Sequence, residues 1–274
     1  MGTVYRATQN SLHRTVALKV LSPQLAHDPE FVELFLKEAR AAAQLHHPNV
    51  VTIFDVGSAG NTHYFSMEVF DGGSVEQWLR REKRLPVDRA LTMTRDAAKA
   101  LEFAESKHIL HRDVKPDDLM VTAQGVVKLA DLGIAARRGE ETTGRFGTPH
   151  FVAPECIKGA SADHRSDLYS LGATLFRMLT GRTPFQGANV GEILDAVQRT
   201  EAPRLREIDP NIPEGSRRSS RNCYKRIRRS ASRAGRRSSP RSTRSSTRWR
   251  PRRKLGFGSA WGRSWSREPE WVSS

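Results

Sequence analysis

This sequence has little cysteine, no long apolar run and no apolar segment at its N-terminus. Only two of its 274 residues are cysteine, Cys156 and Cys223, and such a pair forms neither a disulfide framework nor the spacing of a zinc site. No stretch reaches the roughly 18–20 apolar residues of a membrane-spanning helix. Residues 1–10 lack the apolar core of a signal peptide. We therefore expect a protein of the reducing cytoplasm without a membrane segment.

Acidic residues are nearly absent from one end of the chain. Residues 216–274, called the basic segment below, hold 17 Arg and 2 Lys against 2 Glu, whereas residues 1–215 hold 26 basic and 28 acidic residues. The net charge of +15 therefore comes from the basic segment and does not make the whole protein a nucleic-acid binder. Arg, Ser, Thr and Pro dominate the basic segment, which we expect to be disordered because it cannot bury enough apolar surface.

Hydrophobic periodicity divides residues 1–215 into strands followed by helices. Alternating patterns predict strands over residues 3–8, 15–21 and 63–70, a strand resuming near residue 50, and two short strands near 119–122 and 126–130. Helical periods cover residues 30–45, 74–82, 87–107, 165–180 and 189–199. Residues 134–150 show no period and are predicted to be a loop. This order predicts one α+β domain with a small lobe over about 1–70 and a large lobe over about 71–215.

Residues 111–133 carry the densest chemistry of the chain. Three carboxylates, Asp113, Asp118 and Asp131, surround the ammonium of Lys115 in this stretch. Oxygen ligands without nearby thiols favour Mg²⁺ over Zn²⁺, and a carboxylate that does not bind metal can accept a proton from an attacking hydroxyl. Each residue taken alone is as readily a solvated turn residue, so the prediction of a site depends on their joint spacing.

Several motifs in a fixed order resemble a known family. VALK (16–19), HRDVKPDDLM (111–120), DLG (131–133) and APE (153–155) follow a single glycine, Gly2. Together they resemble the catalytic domain of eukaryotic-type (Hanks-type) Ser/Thr protein kinases, in particular its bacterial members, over about residues 1–214. The resemblance implies a two-lobed fold, in which a small antiparallel-sheet lobe with one key helix lies on a larger helical lobe. It also implies ATP and Mg²⁺ as cofactors and protein Ser/Thr hydroxyls as acceptors.

The resemblance assigns roles to the residues of the large-lobe motifs. It implies that Asp113 orients the substrate hydroxyl and acts as catalytic base, that Lys115 neutralises the transferred phosphoryl group, and that Thr148 bonds both. Asp131 and Asp118 are the implied Mg²⁺ ligands.

The nucleotide site implied by the resemblance lies mainly in the small lobe. Lys19 is expected to contact the α- and β-phosphates and to pair with Glu38 of the following helix. The other implied ATP-binding residues are Gly2 of the glycine-rich loop, the apolar side chains of Val4, Ala17, Met67 and Met120, and the backbone of Glu68 and Phe70.

The resemblance also implies regulatory and structural roles for further residues. Arg112 resembles the arginine that clamps a phosphorylated activation-loop residue, and Thr142 and Thr143 are the predicted acceptors. Asp167 is expected to brace the catalytic-loop backbone. Glu155 is expected to pair with an arginine from a later helix.

The sequence departs from the family pattern in three places. It begins at the last glycine of the glycine-rich loop, so we expect a missing first strand and an open sheet edge. Asp118 stands where the family has asparagine, which predicts reduced turnover through added negative charge. The basic segment replaces the expected C-terminal helices. The domain is therefore expected to be incomplete at both ends, and a reading-frame shift after residue 215 is our hypothesis for the basic segment.

Three functions are compatible with these observations. The leading one is an ATP- and Mg²⁺-dependent Ser/Thr protein kinase of reduced activity, and the second is a pseudokinase or inactive kinase fragment. Nucleic-acid binding through the basic segment, where Trp249 and Trp261 interrupt the arginines, is the weakest of the three. The sequence indicates neither the protein substrate nor the oligomeric state.

Overall fold

The computed structural model describes residues 2–132 and 148–205, together with the backbone of residues 265–271. The described elements are β1 (Gly2–Gln9), β2 (Arg14–Leu21), α1 (Pro23–Ala26), α2 (Pro29–Ala42), β3 (Ile53–Ala59), β4 (Thr62–Met67), α3 (Val75–Glu82), α4 (Val87–Ser106), a 3₁₀ turn (Pro116–Asp118), β5 (Leu119–Val121), β6 (Val127–Leu129), α5 (Pro154–Ile157), α6 (His164–Thr180), α7 (Val190–Arg199) and β7 (Trp265–Trp271). The first four strands and β7 form the small lobe's sheet, in the order β3-β4-β2-β1-β7.

Successive side chains of β2 point to opposite faces of this antiparallel sheet, so both faces carry apolar residues. Val16 and Leu18 are buried on one face together with Ala7 of β1. Leu21 is buried on the opposite face, where Phe65 of β4 also lies. The alternation predicted from the sequence therefore places two separate apolar clusters on the two faces of one sheet.

Helix α2 packs against the second of these clusters. Asp28 caps its first turn by accepting a hydrogen bond from the Glu30 N–H at 2.9 Å, and Pro29 occupies the first helical position. Phe35 and Ala39 are buried one turn apart, and the Phe35 ring lies 5.2 Å from that of Phe65. This packing fixes the side of the sheet on which the helix presents Glu38.

The large lobe is built around α4 and α6. Helix α6 is buried on almost all sides, which requires a helix that is apolar around most of its circumference. Asp163 begins it with a capping box, and Gly181 ends it in the left-handed conformation with a φ of 75°. A Cβ at Gly181 would lie 2.6 Å from the Lys83 carbonyl oxygen, so this helix end requires glycine for space as well as for conformation.

The two lobes meet at the hairpin of β5 and β6. The Asn49 side chain, four residues before β3, donates to the Val127 carbonyl at 2.9 Å, and the Asn49 backbone carbonyl accepts from the Leu129 N–H at 2.8 Å. The Val51 N–H donates to the Leu129 carbonyl at 3.0 Å. These bonds fix the small lobe next to the hairpin that precedes Asp131.

The expected α+β architecture of two lobes is confirmed, with differences at some element ends. The strand expected over 63–70 ends at Met67, because the chain then crosses to the large lobe and turns at Gly73, whose φ is 71°. The helix expected over 30–45 ends at Ala42. No helix within the described residues is both long and apolar enough to cross a lipid bilayer.

Two expectations about the chain ends are corrected by β7. This strand lies within the basic segment, for which we expected disorder throughout. It pairs antiparallel with β1 between Tyr5 and Gln9, so the sheet edge expected to be open beside β1 is covered along that part. The rest of the basic segment lies outside the described residues.

Candidate active site

A buried carboxylate holds the loop that follows α4. Asp167 of α6 accepts hydrogen bonds from the backbone N–H groups of His111 and Arg112 at 2.9 and 2.7 Å. Arg112 has a φ of 68°, a left-handed conformation that costs a non-glycine residue free energy and persists where the surroundings enforce it. Asp167 supplies that enforcement, since its two oxygens bond consecutive N–H groups.

The same loop is tied to the segment that carries Asp131. The His111 side chain is fully buried, and its Nε2 lies 2.9 Å from the Ala130 carbonyl oxygen. In return the Ala130 N–H donates to the Asp118 carbonyl at 2.8 Å. These two hydrogen bonds therefore hold the loop that bears Asp113 and Asp118 at a fixed separation from the loop that bears Asp131.

Asp113, Lys115 and Thr148 form one hydrogen-bonded cluster. The Thr148 N–H donates to Asp113 Oδ1 at 2.6 Å, and Lys115 Nζ donates to Asp113 Oδ2 at 2.7 Å and to Thr148 Oγ1 at 3.3 Å. Burial opposes the charged form of Lys115, but the carboxylates of Asp118, Asp113 and Asp117 together raise its pKa above the ordinary value. The cluster thus offers an oriented carboxylate beside a firmly charged ammonium.

A second ion pair crosses between the lobes. Lys19 Nζ of β2 lies 2.6 Å from Asp131 Oδ1, although the two residues are 112 positions apart. Burial tends to raise the pKa of Asp131, but the Lys19 ammonium outweighs it and holds the pKa below its usual value. Asp131 has a φ of 50°, a second strained position, so both loops depart from relaxed geometry where they face the cleft.

The contact of Lys19 differs from the one that the family resemblance implies. The ion pair that Lys19 makes within the described residues is with Asp131, not with Glu38. Glu38 lies on α2 and is partly buried. Because the Lys19 ammonium is in direct contact with the Asp131 carboxylate, its charge is already matched in this arrangement. The expected Lys19–Glu38 pair is therefore not a feature of this state.

Asp118 lies deeper than the other two carboxylates, with 5% of its surface exposed. Burial, followed by the nearby negative charge of Asp131, raises its pKa well above the usual value. Two carboxylates of this kind, the buried Asp118 and the exposed Asp131, carry like charge that a divalent cation neutralises. No group of three or more His, Cys, Asp or Glu close enough to hold a metal ion occurs within the described residues. Mg²⁺, however, is typically bound by one or two carboxylates together with substrate phosphates, so Asp118 and Asp131 fit it.

The apolar residues expected to surround adenine are only partly buried. The register of β2 and β4 places Ala17 directly opposite Met67, and the register of β1 and β2 places Val4 opposite Lys19. Met120 of β5 forms a bridge with Ser74, which follows the connection between the lobes. Ala17, Met67, Val4 and Met120 all keep part of their surface exposed, as residues that line a cleft do.

The connection between the lobes offers backbone groups at two positions. The Glu68 N–H already donates to the Thr52 carbonyl at 3.0 Å, and the Phe70 carbonyl accepts from the Gly73 N–H at 3.2 Å. The groups suited to an adenine edge are therefore the carbonyl of Glu68 and the N–H of Phe70. At the start of β1, a Cβ on Gly2 would collide with the Val20 carbonyl oxygen, so this position requires glycine.

The positions or contacts of several further residues were not predicted from the sequence. Thr142 and Thr143 lie outside the described residues. Glu155 accepts a hydrogen bond from Ser166 Oγ at 3.3 Å, a partner the sequence did not suggest. Lys128 was also missed: its Nζ bonds both carboxylate oxygens of Glu68, at 2.7 and 2.9 Å. No local pattern points to a contact between residues 60 positions apart.

Replacing Asp118 with asparagine is expected to stabilise the metal-free protein. The buried carboxylate costs free energy when ionised, and we expect Asp118→Asn to raise the free energy of unfolding at pH 7 by about 1–3 kcal/mol. Because the folded-state pKa of Asp118 is raised, the advantage of asparagine grows as the pH rises above the unfolded-state pKa and vanishes in acid. Urea unfolding between pH 4 and 8 without Mg²⁺ measures it.

The matched control is Asp195→Asn. Asp195 is exposed on α7 and pairs with Arg199 one turn away, so this substitution should change the free energy of unfolding by less than about 1 kcal/mol at any pH. Equal stabilities of Asp118→Asn and the unaltered chain at every pH would contradict the assignment of Asp118 as a destabilising buried charge.

Comparison with known proteins agrees with this geometry. The family model described as "Protein kinase domain" matches residues 1–237. The chain is 39% identical over 217 residues to a probable serine/threonine-protein kinase of Clostridium perfringens, CPE1738, covering 78% of this chain and 32% of that protein. It is 40% identical over 196 residues to the serine/threonine-protein kinase PknB of Mycobacterium leprae, covering 68% of this chain and 32% of that one.

A third relative shows the same partial coverage. The serine/threonine-protein kinase PrkC of Bacillus subtilis is 34% identical over 218 residues, which cover 78% of this chain and 34% of that protein. The chain thus spans about a third of the length of these relatives. The family model nevertheless covers most of the chain, and its match runs through every residue of the cleft described above. The chain therefore belongs to the protein kinase domain family.

Proposed function

We propose that this chain transfers the γ-phosphoryl group of ATP to Ser and Thr hydroxyls of protein substrates in the cytoplasm. The contact between Lys19 and Asp131 carries the proposal, because it brings an ammonium of the small lobe and a carboxylate of the large lobe to one point of the cleft. The cluster of Asp113, Lys115 and Thr148 includes the loop that is hydrogen-bonded to the segment before Asp131. Charge of both signs on two lobes suits a bound nucleotide triphosphate and its metal.

Different residues of the chain would have different roles in phosphoryl transfer. Asp131 and Asp118 would hold Mg²⁺, which when bound would supply positive charge to neutralise the phosphates of ATP. Lys19 would bind the phosphates, and Lys115 would balance the charge of the transferred group. Asp113, oriented by the Thr148 N–H at 2.6 Å, would orient the substrate hydroxyl and accept its proton. The hydroxyl oxygen then bonds to the γ-phosphorus as the bond from that phosphorus to the bridging oxygen breaks, and ADP leaves.

Regulation through the loop after Asp131 is part of the proposal. Arg112 has its left-handed backbone fixed by Asp167 and would bind a phosphate on Thr142 or Thr143. A phosphothreonine carries about −1.5 to −2 charges, which one or more arginines can pair. Mass spectrometry of the chain after incubation with ATP locates such phosphates directly.

A pseudokinase is the second candidate function. Asp118 stands at the position of the family's asparagine, and its pKa is raised by burial and then by the nearby negative charge of Asp131. This observation favours a protein that binds nucleotide more readily than it turns it over.

The experiment that separates the two candidates uses the full chain and γ-labelled ATP. We expect labelled phosphoserine and phosphothreonine, without phosphotyrosine, on casein as a general acceptor, and we expect the label to disappear when EDTA removes Mg²⁺. Nucleotide-dependent thermal stabilisation is measured in parallel. Stabilisation without transfer would favour the pseudokinase, and the absence of both would overturn both functions.

A further inference from the structure

The outer edge of β1 is paired with the distant end of the chain. Strand β1 lies between β2 and β7 in the sheet. The register aligns Gln9 with Trp265 and Thr8 with Ser266 and continues to Tyr5 and Trp271. Residues 206–264 separate this strand from the rest of the described chain, so the pairing joins segments that no local signal connects.

The edge of β1 has the properties of a strand-binding site. Its pairing with β2 runs through the whole strand, from Gly2 opposite Leu21 to Gln9 opposite Arg14. In an antiparallel pair, successive N–H and C=O groups point alternately toward and away from the partner. Half of the backbone groups of β1 therefore point away from β2, and such a row is a template that an extended segment satisfies by adding a strand.

The sequence of β7 suits an outermost strand. Its register shifts between Tyr5 and Ala7, so that residues 268–270 lie opposite one residue of β1. Pro269 is the middle residue of these three, and proline, which has no N–H to donate, is tolerated in a sheet on edge strands and at bulges. Pairing is therefore interrupted where the segment cannot complete it.

The same residues argue for pairing within one chain. Glu268, Pro269 and Glu270 interrupt the strand with two charges and a proline, features that stop a further strand from adding to an edge. Once β7 is in place, the sheet ends there. A segment that polymerised through its edges would need a continuous hydrogen-bonding row, which this sequence does not provide.

We propose that the outer edge of β1 is a strand-binding site of the small lobe and that residues 265–271 of the same chain are its ligand. Occupancy of this site pairs the outward backbone groups of β1 between Tyr5 and Gln9, on the strand that also carries Gly2 and Val4. The pairing itself does not depend on the proposed function. Its consequence for nucleotide binding is that β7 holds in place the strand that carries Gly2 and Val4. That consequence alone rests on the proposed function, because the family resemblance assigns these two residues to the ATP site.

The test places two prolines in β7 of the full chain, as Ser266→Pro combined with Arg267→Pro. Adjacent residues of a strand point their N–H groups in opposite directions, so one of the two substitutions must remove a bond to β1. Hydrogen exchange of the amides is then measured strand by strand. We expect the amides of residues 5–9 that point away from β2 to exchange at least about tenfold faster in the variant. Amides of β3 and β4 should be unchanged.

The control carries the same number of prolines beyond the strand, as Ser273→Pro combined with Ser274→Pro, and should exchange like the unaltered chain. A synthetic peptide of residues 263–273, added to the β7 variant, should restore the slow exchange of β1. Should the variant lose its fold, the unaltered chain still decides the matter. Its outward β1 amides must be protected, and exchange at the rate of a free peptide would overturn the proposal.

Two further results would also contradict it. The proposal fails if the β7 variant exchanges as slowly as the unaltered chain. It also fails if protection decreases on dilution while analytical ultracentrifugation shows a dimer dissociating, because the strand then comes from a second copy. ATP binding measured on the same variant distinguishes the strand-binding site itself from its consequence for nucleotide binding. Faster exchange with unchanged affinity would keep the strand-binding site and remove only its consequence for nucleotide.

Discussion

Asp113→Asn is expected to lower kcat for phosphoryl transfer by about 10²–10⁴-fold, the range for loss of a general base. Asparagine retains an oxygen that can accept the Thr148 N–H, which donates to Asp113 Oδ1 at 2.6 Å, so the loop geometry should survive. It cannot accept the proton of the substrate hydroxyl. Lys115 would lose its ion-pair partner at 2.7 Å but keep its hydrogen bond to Thr148. The Kd for nucleotide should change little.

Steady-state kinetics and calorimetric titration with ATP measure the two quantities. Asp195→Asn serves as control, because Asp195 lies on the exposed surface of α7 and should leave both values unchanged. A variant Asp113→Asn that retains more than about a tenth of the activity would contradict the role of Asp113 as base.

Asp131→Asn is expected to weaken strongly the dependence of ATP affinity on Mg²⁺ and to lower transfer by about 10²–10³-fold or more. Asparagine is a neutral, weaker ligand for Mg²⁺ than carboxylate. The Lys19 ammonium, 2.6 Å from Asp131 Oδ1, would also lose the charge that it now pairs with. Because Lys19 holds the pKa of Asp131 low, the unaltered carboxylate stays ionised, and available to metal, well into the acidic range.

The measurement is a titration of ATP with and without Mg²⁺, on the unaltered chain and the variant. In the unaltered chain Mg²⁺ should tighten ATP binding, and in Asp131→Asn this effect should be much smaller, because only Asp118 of the two carboxylates remains. Asp88→Asn, in the exposed first turn of α4, should behave like the unaltered chain. Retention of the full Mg²⁺ effect in Asp131→Asn would assign the metal to other residues.

Local periodicity was enough to predict most of the elements. The alternation of β2 and the helical period of α2 are visible in short windows, because strand and helix geometry repeat over a few residues. The capping box of α6 at Asp163 is likewise a local signal. The order of these elements along the chain then predicted the two lobes, since strands that precede helices pack as separate layers.

The partners of individual charged side chains could not be predicted in this way. The motifs placed Lys19, Glu38 and Asp131 in one site. They do not predict which of the two carboxylates the ammonium contacts, because that depends on distances in the folded chain. The contact with Asp131 instead of Glu38 is such a case. The ion pair of Lys128 and Glu68 has no sequence signal at all, because neither residue belongs to a motif.

The sequence by itself determined the family, through motifs whose order and spacing chance does not produce, and it determined the types of residue that surround the cleft. Tertiary structure alone decided that β7 covers the edge of β1, that Asp118 is buried beside a like charge, and that Lys19 contacts Asp131. The physical reason is range. Helical and strand periods are local, whereas edge pairing, burial and ion pairs join residues far apart in the chain, and their free energies depend on distances that only the folded backbone sets.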